Sequence, residues 1–123
     1  MTHAYATAAA VASLSLCSAA QAHHTAAMFD QTRTVVISGT VRDFQWTSPH
    51  SWIQLVVAQP QGPAEWSIEM AAPVELIRLG WKKTSLQPGD KAVLTVHPLR
   101  DGGKGGQFVS GAGANGAPIG VVR

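Results

Sequence analysis

The sequence predicts an all-β domain with one short helix, a small five-stranded OB-like β-barrel that follows a cleaved signal peptide. Three observations predict it. Five runs rich in β-branched and aromatic residues, most of them alternating with period 2, are separated by Pro- and Gly-containing turns. One short helical segment falls between the third run and the fourth. An uncharged, alanine-rich stretch ends at Ala20-Gln21-Ala22, the small-x-small pattern of a signal-peptidase site.

The first predicted strand is Thr34 to Trp46, TVVISGTVRDFQW. Val35, Ile37, Gly39 and Val41 share one phase, whereas Phe44 and Trp46 fall in the other. Such a change of phase predicts a bulge near Arg42-Asp43, which turns the following side chains over. Ser48-Pro49 breaks the pattern. The second strand, His50 to Ala58, has Ile53, Leu55 and Val57 on its apolar face and His50, Trp52 and Gln54 on the other. After the turn Pro60-Gln61-Gly62-Pro63, the third strand runs from Glu65 to Met70, with Trp66, Ile68 and Met70 on one face. The two make an antiparallel hairpin.

Pro73 to Gly80 reads as a short helix. Proline suits its first turn, Glu75 faces the N-terminal dipole, Arg78 suits the last turn and Gly80 is the C-terminal stop. Gln87-Pro88-Gly89-Asp90 makes a turn into the fourth strand, Lys91 to Pro98, with Ala92, Leu94 and Val96 inward and Thr95 and His97 outward. The DGGKGG run, Asp101 to Gly106, is too glycine-rich for regular structure, so the fifth strand is expected at Gln107 to Ser110. Asn115-Gly116 marks a last turn. Strand, strand, strand, helix, strand, strand is the element order of the OB-fold; another small barrel or a sandwich would use the same elements.

The expected organisation is a signal peptide at residues 1–22, an N-terminal arm at 23–33 and the barrel domain at 34–123. No charged side chain occurs before His23, and the apolar stretch from Ala8 to Cys17 is short for a membrane span. The usual basic residue near the start is missing. Leu14-Ser15-Leu16-Cys17 outlines a lipid-attachment site, but bulky Leu16 stands where a small residue is expected. A periplasmic or secreted domain without stable membrane insertion follows. Cys17 is the only cysteine, so the exported part has neither disulfides nor thiolate metal sites. The net charge is +2 and the basic residues are scattered, with Lys82-Lys83 their only adjacent pair. That is not the clustered footprint of nucleic-acid binding.

The stretches AHHTAAMFD and GTVRDFQWTSPHSW, the pair Gly80-Trp81, and PLRDG followed by glycines resemble a family of small secreted bacterial proteins, catalogued as domain of unknown function 6152. The resemblance covers Ala22 to about Gly120. Ser48 stands where the family usually has Asn before Pro-His. The resemblance implies an exported domain with motifs around His23, His24 and His50, and no established activity.

The chemistry must therefore come from the residues. Cleavage after Ala22 makes His23 the first residue, and its amine and imidazole together chelate a metal. A further imidazole completes a T-shaped nitrogen site of the kind used by copper mono-oxygenases. His24, His50 and His97 are candidates for it, and nitrogen-rich sites favour Cu(II). Met28 and Met70 could supply thioethers for Cu(I), although Met70 shares a face with Trp66 and Ile68 and suits the core. Met28-Phe29 is expected to pin the arm to the barrel. Trp46 and Trp52 could form an aromatic ligand platform or pack in the core. Arg100-Asp101-Gly102 reads as a surface turn held by an Arg–Asp pair. No nucleophile motif, carboxylate pair or phosphate loop marks an enzyme. The leading expectation is a periplasmic copper-binding carrier or sequestration protein. The alternatives are a non-metal module that binds a small ligand or another periplasmic protein through an aromatic strand face, and a copper-dependent oxidase-type enzyme.

Overall fold

The computed structural model describes residues 27–120; His23, His24 and the expected signal peptide lie outside them. Across Val35–Gly113 of the described residues, strands and a helix form in the expected order: β1 (Val35–Gln45), β2 (Trp52–Val57), β3 (Ala64–Glu69), α1 (Pro73–Arg78), β4 (Lys91–Pro98) and β5 (Gly105–Gly113). The strands close into a barrel in the order β1-β2-β3-β5-β4. All neighbours are antiparallel except β3 and β5, which run parallel over three residue pairs, from Ser67↔Gly105 to Glu69↔Gln107.

β1 serves two neighbours. Its first half pairs with β4 and its second half with β2. The register shifts between Val41 and Asp43, where the sequence pattern changes phase. The extra residue, Arg42, lets Ile37 and Val41 on one side of the bulge and Phe44 on the other all point into the barrel, where they are buried. Ile53 and Leu55 of β2, Ile68 of β3, and Leu94 and Val96 of β4 complete that core. Full burial of each such side chain contributes roughly 1.5–3 kcal/mol.

α1 begins at Pro73 and carries Glu75 in its first turn and Arg78 in its last. It ends in a Schellman motif. The Gly80 N–H donates to the Ile77 carbonyl at 3.0 Å and the Trp81 N–H to the Leu76 carbonyl at 2.9 Å. Gly80 adopts φ +90°, which explains why glycine stands there. The motif folds Trp81 back beside Leu76, and both are buried against the barrel core. Trp81 meets the ring of Phe44 at 5.9 Å and that of Phe108 at 5.4 Å.

β5 departs from expectation. It begins at Gly105 rather than Gln107 and extends to Gly113. The glycines are strand residues because nothing larger fits. A Cβ on Gly106 would lie 2.7 Å from Val96 Cγ2 and 2.8 Å from the His97 carbonyl oxygen. A Cβ on Gly105 would lie 2.9 Å from the Ser67 carbonyl oxygen. Backbone approach at the barrel seam selected these glycines, not turn formation. Among the described residues no helix is long and apolar enough to cross a membrane.

Candidate ligand cleft at His50 and Glu69

The parallel β3–β5 ladder stops at Glu69 and Gln107. There β3 leaves the sheet through Met70 and Ala71 towards α1, while β5 continues along β4. The divergence opens a cleft of about 390 Å³, lined by His50, Glu69, Glu75, Leu79, Trp81 and Phe108 among others. Its lining contains two carboxylates and no Lys or Arg.

Glu69 lies on the outer phase of β3, in register with Trp52 on one side and Gln107 on the other. Its side chain is nevertheless only 4% exposed. Burial pushes its carboxyl above the ordinary value, and the facing His50 opposes that rise. His50 sits just before β2. Its carbonyl accepts from the Thr47 hydroxyl at 2.7 Å. Its neighbour, buried Ser51, donates its N–H to Ala71 and accepts from the Met70 N–H, which extends the β2–β3 ladder past the strand ends.

The His50 ring is held equally firmly. Nδ1 lies 3.1 Å from the Met70 carbonyl oxygen and 3.2 Å from Glu69 Oε1. A carbonyl oxygen only accepts, so the hydrogen-bond network assigns the proton to Nδ1. In the neutral ring Nε2 then carries the free lone pair, and it has no hydrogen-bond partner among the described residues.

The other candidates are dispersed. His97 Nδ1 donates to the Arg33 carbonyl, 2.7 Å away. It pairs with Gln107, which pairs with Glu69, so His97 stands two strand spacings, about 10 Å, from Glu69. Met70 is buried in the core, as its phase with Ile68 predicts, and meets His50 through its carbonyl. Of the pair expected to pin the arm, Phe29 does so: it is 3% exposed and bridges to Leu99. Met28 does not; it is 52% exposed and contributes only its carbonyl, which accepts from the Arg100 N–H. Trp46 packs edge-on against Phe44 at 5.6 Å, and Trp52 pairs with Gln45 and Glu69. No ring pair joins Trp46 to Trp52 among the described residues. The Arg100–Asp101 turn is present, but not through an Arg–Asp pair. Asp101 accepts from the Gly103 N–H, while Arg100 Nε donates to the Ala27 carbonyl and ties down the arm.

Glu69 and Trp81 carry the cleft and were not predicted as site residues. Glu69 was legible in principle. The Pro60–Pro63 turn between two strands of known phase sets a register in which Trp52 faces Glu69, and that places His50 beside it. Among the described residues no group of three or more His, Cys, Asp or Glu side chains converges to hold a metal ion.

A family model described as a family of unknown function, DUF6152, matches residues 10–108. No curated protein matches the chain. Among solved structures the chain is similar to Rim1, a mitochondrial single-stranded DNA binding protein from S. cerevisiae, at 13% identity and a TM-score of 0.48, over 67% of this chain and 94% of that one.

Proposed function

The chain belongs to DUF6152, a family of unknown function, and from its residues we propose that the domain is a periplasmic metal-binding carrier or sequestration protein, with copper the favoured ion. We read its barrel as OB-like, from the strand order and from the helix between the third and fourth strands. Export rests on the Ala20-Gln21-Ala22 pattern.

The observation that carries the metal reading is the state of His50. A metal-binding imidazole characteristically donates its other N–H to a carboxylate or a backbone carbonyl, which fixes the tautomer and raises the basicity of the coordinating nitrogen. His50 Nδ1 has both kinds of acceptor, and Nε2 is left for a ligand. One imidazole is not a site. In this reading His23 and His24 supply the remaining nitrogens, and a nitrogen-rich set favours Cu(II). Met70, buried in the core, and His97, about 10 Å from Glu69 across the sheet, stay reserve ligands in this reading.

Calorimetric titration of the exported protein with Cu(II) tests this, with nitrogen hyperfine structure in the electron paramagnetic resonance spectrum as second readout. His50→Ala is expected to weaken binding by more than about tenfold and to simplify the hyperfine pattern, and His97→Ala to change neither. Undiminished copper affinity in His50→Ala would sink the proposal.

A further inference from the structure

Below His50 the cleft is apolar. Trp81 and Phe108 meet edge to face, with interplanar angle 84°, and Leu76 and Leu79 of α1 flank them. Two carboxylates also line it, buried Glu69 from β3 and exposed Glu75 from the first turn of α1. We propose that this cleft binds a small organic cation, an ammonium group carried on a single-ring or short aliphatic body, whether or not a metal is bound at His50.

The charge selects the ligand class. Glu69 is buried, its Oε1 engages His50, and its Oε2 has no hydrogen-bond partner among the described residues. An ammonium can reach that oxygen with a charge-assisted hydrogen bond, the strong kind. A neutral ligand would offer Oε2 no charge-assisted bond, and an anion would face two like charges with no Lys or Arg in the lining to offset them. Trp81 and Phe108 in the lining supply aromatic surface for the body of the ligand. The volume, about 390 Å³, lies at the small end of ligand sites and limits the body to about one ring.

The test uses the full exported protein dialysed against EDTA, with 2-phenylethylamine, its neutral isostere 2-phenylethanol and the anion 3-phenylpropionate as probes. Binding is read by calorimetry and tryptophan fluorescence. Saturable binding of the amine is expected, more than about tenfold tighter than the alcohol, with no binding of the anion. Glu69→Gln is expected to lower amine affinity about tenfold or more. Because the protein is metal-free in this titration, amine binding here is read separately from the metal reading. Should Glu69→Gln not fold, shown by loss of its melting transition, Glu75→Gln on the exposed helix turn carries the test, with a smaller loss in the same direction. Equal affinity for amine and alcohol, unchanged amine affinity in the folded Glu69 variant, or no saturable amine binding into the millimolar range would overturn the proposal.

Discussion

A carboxylate on the outer phase of a strand ordinarily meets water. Glu69 does not, because β3 ends there in a cleft roofed by α1 and His50. Its pKa is therefore raised by burial, against the opposing influence of His50. Between the ordinary value of 4.5 and the raised one, the folded state holds more protons than the unfolded chain, so stability falls as pH rises through that window. Glutamine cannot ionise and still offers an oxygen to His50. In metal-free protein Glu69→Gln is expected to melt above the wild type at neutral pH, and the gap to close as pH falls below about 4.5. Asp30 works with the opposite sign. It is held low chiefly by the Thr32 hydroxyl, and its contribution is lost as pH falls, but it is common to both proteins and cancels in the comparison. A melting-temperature gap that persists unchanged at acid pH would refute this account of Glu69.

At the scale of elements, what was legible was local. The phase change in β1 located the bulge to within a residue, because a side-chain period of two admits no other way to bury Ile37, Val41 and Phe44 together. Pro73 and Gly80 bounded α1 for reasons that act within one helical turn. β5 was misread for a non-local reason. Gly105 and Gly106 resemble a loop in composition, and only the approach of Ser67, Val96 and His97 from other strands makes them strand residues. Gly106→Ala is therefore expected to destabilise the protein by about 1–3 kcal/mol in urea unfolding, through overpacking against Val96. A change within about 0.5 kcal/mol, the usual range for a surface site, would mean that the seam can relax.

At the scale of the whole molecule, the barrel is closed by its shortest ladder. β3 and β5 share three residue pairs, against seven between β4 and β5. One seam bond, from the Ser67 N–H to the Lys104 carbonyl, is 3.3 Å long. Opening this seam breaks fewer ladder pairs than opening the sheet elsewhere. Native-state hydrogen exchange is expected to find the Ser67 amide less protected than those of Ile53 and Leu55 in β2. Equal protection would make the barrel one cooperative unit.

The sequence by itself determined the number, order and approximate bounds of the strands, the helix stop at Gly80 and the candidacy of His50. Each of these follows from periodicity, turn chemistry or residue type within a few positions. Tertiary structure alone decided that Glu69 is buried beside His50, that Trp81 and Phe108 floor the same cleft, that Trp46 and Trp52 pack apart, and that His97 donates to the Arg33 carbonyl. These are relations between residues on different strands. They exist only once pairing and closure have set which strand ends diverge, and no local pattern encodes that.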